Sequence, residues 1–256
     1  ATASAQVFLN VLRDSLTRSQ HDSDLIIPNV DLSAFFPQAA ANYIQQQNAQ
    51  VISAHRVKSI SRKEQGWMVD GQAYSHVICA VAAHQVNTLI TELTHIAPVP
   101  QYHYEPIITV YLQYDTNVRL PRAMTGLTNT SAQWVFDRGI THQQHGLFAV
   151  VISATGKHSN MPHSQLAQRI AAELHPHLQL PTQPRWHQVI AEKRATFACT
   201  VNMPRPDQRT NDPKFFLAGD YTASDYPATL EAATQSGVKC AHLIIENLAH
   251  EKLSSS

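Results

Sequence analysis

The chain has 256 residues, of which 43% are hydrophobic and 15% charged, and its 19 basic and 19 acidic side chains cancel. That is enough chain for one large domain or two smaller ones with a real core. The balanced charge excludes nucleic acid as the expected partner, and no apolar run reaches the roughly 18–20 residues of a membrane helix.

Residues 1–20 read as a helix with Val7, Phe8, Val11, Leu12 and Leu16 on one side. After a loop from His21 to Pro28, Asp31 or Ser33 can cap a second helix bearing Phe35, Phe36, Ala40, Tyr43 and Ile44. Gln50 to Ile60 alternates as a strand, Arg62 to Gly66 turns, Trp67 to Val69 returns, and Asp70-Gly71 makes a tight turn. Tyr74 to Val81 reads as a buried strand and Ala82 to Leu93 as a helix.

Pro98 to Pro106 reads as a linker. Ile107–Tyr114, Trp134–Asp137, Gly146–Ser153 and Val189–Ala198 are strand candidates, and Ser164 to Leu174 is a helix with Leu166, Ile170 and Leu174 aligned. Strands gathered around one helix suggest an α+β arrangement with a mostly antiparallel sheet. The polar segment Pro204 to Pro213 connects back to the final strand.

Phe215 to Leu248 is the most informative stretch. Phe215-Phe216-Leu217-Ala218 is a buried strand, with Gly219-Asp220 at its carboxyl end. After the turn-prone segment 221–227, Ala228 begins a helical pattern. Leu230, Ala233, Gly237, Cys240, Ala241, Ile244, Ile245 and Leu248 form its apolar stripe, and Pro227 suits a helix start. Ligands of open α/β sheets bind at the carboxyl edge of strands, and a helix N-terminus offers free N–H groups there. Asp220 can accept hydrogen bonds from a ligand, and Ala228, Ala232 and Ala233 leave room for a flat one. The plainer alternative is an ordinary strand–loop–helix unit with Asp220 as a turn residue.

The segments Leu217-Ala218-Gly219-Asp220-Tyr221-Thr222, Tyr226-Pro227-Ala228-Thr229-Leu230-Glu231-Ala232-Ala233 and Ser236-Gly237 resemble the C-terminal flavin motif of the phytoene desaturase and amine oxidase superfamily. Within it, the chain is most similar to the squalene-associated FAD-dependent desaturases, also called hydroxysqualene dehydroxylases. Lys193-Arg194-Ala195-Thr196-Phe197 and Pro28-Asn29-Val30-Asp31-Leu32 also resemble segments of that family. Ala232 departs from the glycine common in relatives.

The resemblance implies FAD as cofactor and an α/β plus α+β fold. Part of a Rossmann-like FAD-binding domain (46–97 and 205–250) would join a substrate domain (1–45 helical, 98–204 mostly antiparallel sheet), with 251–256 a disordered tail. It implies cofactor contacts at Val57, Ala80, Gly219, Asp220, Tyr221, Pro227, Leu230, Glu231 and Ala232. The implied reaction is redox chemistry on a long apolar isoprenoid, in the squalene or hopanoid precursor pathway. Alternatives are a flavin amine oxidase and an inactive binding or scaffold fragment. The chain starts without Met, and none of its eight glycines fits GxGxxG, so the pyrophosphate-binding N-terminal segment is expected to be missing and the fragment alone inactive.

The remaining candidates each carry a plain alternative. Val57 is otherwise a plain strand residue, and Glu231 a carboxylate favoured in a first helical turn. Arg194 can face substrate or form a surface ion pair. Asp225 can act as an acid assisting loss of a hydroxyl or simply form a turn. His142 and His145 have ligand-like spacing, but Gly139 and Gly146 flank them, so a polar loop and no metal site is expected. Cys79, Cys199 and Cys240 form no CxxC pair, which suits a reduced cytoplasmic setting, with peripheral membrane contact through the substrate as a further expectation.

Overall fold

The computed structural model describes residues 3–17, 19–89 and 95–254. Two compact units share the chain: Ala1–Asp24, Ala54–His103 and Phe197–Ser256 make the first, Leu25–Ser53 and Tyr104–Thr196 the second. The expected 1–45 helical segment is thus divided after Asp24.

In the first unit, α1 spans Ala5–Leu16 and is shorter than the 20 residues expected. Ser4 starts it, its Oγ accepting from the Val7 N–H at 3.4 Å. Thr17 ends it by donating its hydroxyl to the Arg13 carbonyl at 2.5 Å. A 3-10 turn, Gln20–Ser23, comes next.

Three short strands, β1 (Ile60–Lys63), β2 (Gly66–Val69) and β3 (Gln72–Tyr74), form an antiparallel sheet in that order. Asp70 and Gly71 both have positive φ, 46° and 85°, the backbone of the tight hairpin turn that the dipeptide predicts. The expected strand over Gln50–Ile60 is absent except for its last residue. Ala54 adopts φ 55°, which breaks an extended run, and Lys58 and Ser59 donate their N–H groups to the Asp70 carboxylate at 2.9 and 2.8 Å instead of to a strand.

Those bonds and His55 lower the Asp70 pKa from 3.8 to about 2. The folded value lies below the unfolded one, so this carboxylate stabilises above pH 3.8 and the contribution fades as pH falls towards 2. Amide exchange at Lys58 and Ser59 is expected to speed up across that window. In Asp70→Ala it should already be fast at neutral pH; a Lys58 amide equally protected in the variant would contradict this.

The buried strand expected over Tyr74–Val81 contracts to β4 (Val77–Cys79), followed by α4 (Ala83–Leu89). Ala82 of the expected Ala82–Leu93 helix is not helical, and residues 90–93 lie outside the described residues.

The second unit carries α2 (Leu32–Phe35) and α3 (Pro37–Gln46) where one helix was expected. Pro37 divides them, because proline excludes helical geometry from the residue before it; Phe36 sits at φ −130°. Five strands, β5 (Tyr104–Gln113), β6 (Met124–Gly126), β7 (Trp134–Asp137), β8 (Leu147–Ser153) and β9 (Trp186–Phe197), form one sheet ordered β6-β7-β8-β5-β9. β6, β7, β8 and β5 pair antiparallel in turn, as the alternating patterns predict.

Strand alternation divides this sheet into two faces. Ile108, Val110, Leu112, Val135, Phe148, Val150 and Ile152 are buried with Leu166, Ala167, Ile170, Ala171 and Leu174 of α6 (His163–Leu178). Each large side chain removed from water there contributes about 1.5–3 kcal/mol. β7 and β8 are joined by α5 (Arg138–His142), which the sequence predicts as a loop. The buried Asp137 carboxylate explains it: one oxygen accepts from the Gly139 N–H at 2.8 Å, capping the helix, and the other from the Leu120 N–H at 2.8 Å.

In the first unit, β10 (Phe215–Leu217) pairs parallel with β4, Phe215 opposite Val77 and Leu217 opposite Cys79. All three β10 side chains are buried, and the Phe215 ring meets Trp67 at 4.8 Å. α7 runs from Leu230 to Ser254, with Ala232, Ser236, Cys240 and Leu243 on its buried side. That differs from the predicted stripe: Leu230, Ile245 and Leu248 are exposed. The helix is apolar on more than one side, so periodicity alone did not select the face that meets Phe216 and Ala218. The helix also starts two residues later than predicted, since Thr229 and not Pro227 caps it, its Oγ1 accepting from the Ala232 N–H at 3.2 Å. At the other end, residues 251–254 are helical where a disordered tail was expected, and Glu251 pairs with Lys214 at 3.1 Å.

Candidate functional site

The turn from Gly219 to Tyr226 lies between the end of β10 and the start of α7. Gly219 is required by its backbone. Its φ is 146°, and a Cβ there would stand 2.5 Å from the Tyr221 ring. Its N–H donates to Ser236 Oγ at 2.8 Å, which holds the strand end against α7. Thr222 is buried and donates its hydroxyl to the Gly219 carbonyl at 2.8 Å.

Arg205 fixes the rest of the turn. Its guanidinium donates to the carbonyls of Ser224 at 3.0 Å, Tyr226 at 2.6 Å, and Asp220, while its Cζ lies 5.5 Å from the Phe197 ring centre. Buried Gln208 donates to Thr222 Oγ1 at 3.0 Å and the Ala223 carbonyl at 2.9 Å. Neither residue was picked out by the sequence reading. They sit in the 204–213 segment read only as a connection, although an arginine between two prolines was its visible signal.

Asp220 is half-buried, and burial pushes its carboxyl above the ordinary carboxylate range while the charge of Arg205 pulls the other way. Tyr221 is buried, 2% exposed, with its ring against Gly219 and its carbonyl accepting from the Tyr102 hydroxyl at 3.4 Å. Pro227 is half-buried, and Leu230 and Glu231 are exposed at the first turn of α7. Glu231 and buried Ala232 line a concavity of about 610 Å³ together with Gln208, Ser224 and Gln235. Val57 lines a different concavity, about 410 Å³, with His55, Arg56, Val81 and Gln85; Ala80 is exposed at the end of β4 and is not part of that lining. The structure therefore places Gly219, Asp220 and Tyr221 at one strand end, Glu231 and Ala232 on the concavity beside α7, and Val57 with Val81 about a further place in the same unit.

Asp225 is exposed, and its carbonyl accepts from Asn10 Nδ2 at 3.1 Å, while the Tyr226 hydroxyl donates to the Asp14 carboxylate. Helix α1 thus braces the turn ahead of α7. Arg194 is exposed on the edge strand β9.

A third cavity, about 580 Å³, lies entirely within the second unit. Its floor is the face of the sheet opposite α6, with Tyr111, Ala149 and Phe136 in one row across β5, β8 and β7, and Thr109 beside Val151 in the next. One face of this sheet lines the cavity, while the other forms the closed core. Among the described residues no helix is long and apolar enough to cross a membrane, and no cluster of three His, Cys, Asp or Glu side chains could hold a metal ion.

A hydroxysqualene dehydroxylase of Zymomonas mobilis is 27% identical over 250 residues, covering 93% of this chain and 57% of its own length. A second, from Rhodopseudomonas palustris, is 30% identical over 172 residues, 66% of this chain and 38% of its own. The chain spans about half the length of the curated relatives it matches. Among solved structures, an oxidoreductase from Methanosarcina mazei superposes with a TM-score of 0.59 at 11% identity, over 80% of this chain and 53% of that one, which shows a shared fold. Residues 11–245 match the family described as flavin containing amine oxidoreductase, and the chain belongs to that family.

Proposed function

We propose that this chain is part of an FAD-dependent oxidoreductase acting on a long isoprenoid of the hydroxysqualene type. The carrying observation is the end of the parallel strand β10, where Gly219 and Asp220 meet the N-terminus of α7 in a turn pinned by Arg205. The names of the relatives direct the substrate reading, and nothing in the geometry favours an amine as substrate over it.

The residues present fit one edge of such a cofactor. Gly219 turns the chain at the strand end, its missing side chain leaving room for the Tyr221 ring beneath. The first turn of α7 offers N–H groups and a partial positive charge. Asp220 stands ready to accept from cofactor hydroxyls, and two buried polar atoms beside the turn, Arg205 Nε and Gln208 Oε1, have no partner among the described residues. The Val57–Val81 concavity suits the adenine end. When bound, the flavin would supply two-electron exchange with a carbon centre. The chain's own part is to hold that edge rigidly and to keep water from it.

Two measurements test this. Incubating hydroxysqualene with the protein that carries this chain and a two-electron reductant for its flavin is expected to yield, by mass spectrometry, a product in which hydrogen has replaced the hydroxyl group, the oxygen leaving as water. Oxidation of a diamine with hydroxysqualene left intact would overturn the substrate reading. Asp220→Ala is expected to weaken flavin retention by roughly tenfold, the loss of one charge-assisted hydrogen bond, with little change in fold. Undiminished flavin absorbance after gel filtration would remove Asp220 from the site.

A further inference from the structure

One end of the cavity in the second unit is charged. Arg138 and His142 lie four residues apart on α5, one turn of the same helix side. Both reach the Asp31 carboxylate, Arg138 Nη2 at 3.4 Å and His142 Nε2 at 3.5 Å. The Arg138 and His142 side chains are largely enclosed, 19% and 17% exposed, whereas Asp31 is 73% exposed. Exposed ion pairs stabilise a fold little, and the Asp31 side chain does not cap α2. Beyond joining the segment ahead of α2 to α5, the cluster has room for a second purpose.

Its surroundings supply one. Phe136, Ala149 and Val151 from the sheet, with Ile27, Val30 and Leu32 opposite, give the cavity an apolar body. Its volume falls within the roughly 300–1,000 Å³ of small-molecule sites. The hydrogen-bond directions at His142 are also set. The Thr141 hydroxyl lies 2.6 Å from His142 Nδ1 and 3.4 Å from the Asp137 carbonyl; donating across the shorter contact, it makes Nδ1 the acceptor and leaves the ring proton on Nε2. That leaves Nε2 as the nitrogen directed at Asp31 and at whatever polar group enters. Asp137, buried at the helix cap, fixes α5 in that position.

We propose that Asp31, Arg138 and His142 bind the hydroxyl group of a long-chain isoprenoid alcohol whose hydrocarbon lies along the Phe136–Ala149–Val151 face. The assignment rests on the isoprenoid reading above and adds to it the end of the cavity that recognises the oxygen. Asp31 accepts from the hydroxyl, and His142 Nε2 or Arg138 donates to it. A pure hydrocarbon leaves these groups to water.

Equilibrium dialysis of the chain with farnesol and with the matched hydrocarbon farnesene tests the proposal without flavin or turnover. Farnesol is expected to bind roughly tenfold more tightly. His142→Ala and Asp31→Ala should each erase that preference and leave farnesene unchanged. Thr109→Phe, which fills the floor, should weaken both ligands, and near-ultraviolet circular dichroism checks that each variant keeps its fold. A preference that survives both alanine variants, or binding indifferent to Thr109→Phe, overturns the proposal. Equal binding of both ligands by the unsubstituted chain defeats the hydroxyl assignment while the isoprenoid reading stands. Binding of neither defeats both.

Discussion

Arg205→Ala is expected to destabilise the first unit by about 3 kcal/mol, read as a lower urea midpoint and faster exchange of the Phe215–Leu217 amides. The variant strips donors from three carbonyls, those of Asp220, Ser224 and Tyr226, in a turn that is partly closed to water. It also removes the contact over Phe197. Arg205→Lys should recover less than half of the loss, because an ammonium cannot reproduce a planar fork that spans separate acceptors. A lysine variant as stable as the parent would mean that charge alone, and not the fork, holds the turn. Flavin retention should fall with stability in both variants, since the turn they loosen is the one proposed to hold the cofactor edge.

Gly219→Ala should cost a similar amount, about 3 kcal/mol, for two separable reasons. One is the backbone at φ 146°; the other is the collision of the new methyl with Tyr221 Cε1 at 2.5 Å. The ring cannot swing away, because Tyr221 is 2% exposed. Combining Gly219→Ala with Tyr221→Ala distinguishes them. If the collision dominates, the double variant loses clearly less than the sum of the two single losses. Strict additivity would assign the whole cost to the backbone.

Where a local pattern has one physical reading, the sequence carried it. Trp134–Asp137 is β7 as predicted, Gly146–Ser153 is β8 but for its first residue, and Asp70-Gly71 makes its turn because both residues tolerate positive φ. The strand end at Gly219-Asp220 was legible because glycine and aspartate come directly after an apolar run. Other features depend on distant partners. Helix α5 exists because Asp137 caps it, against the signal of Gly139. The buried side of α7 is chosen by β10, which periodicity within the helix cannot see. Arg205 acts on carbonyls 15 to 21 residues further on, and carbonyls leave no trace in a sequence. The Asp31–His142 pair joins positions more than a hundred residues apart, so neither drew notice beyond a possible cap and a polar loop.

The chain leaves the first unit after His103 and returns at Phe197, and the Ala198 N–H donates to the His103 carbonyl at 2.8 Å. The mouth of that long excursion is closed by a hydrogen bond. Because the entropy of closing a loop grows only with the logarithm of its length, each doubling costs about 0.6 kcal/mol. The excursion can therefore lengthen, shorten or change its lining at almost no expense to the β4–β10 ladder beside it. Evolution is free to reshape the cavity over the Tyr111–Ala149–Phe136 row for new molecules while the Gly219 turn stays as it is. The proposed cofactor edge and the proposed substrate cavity can be inherited at different rates.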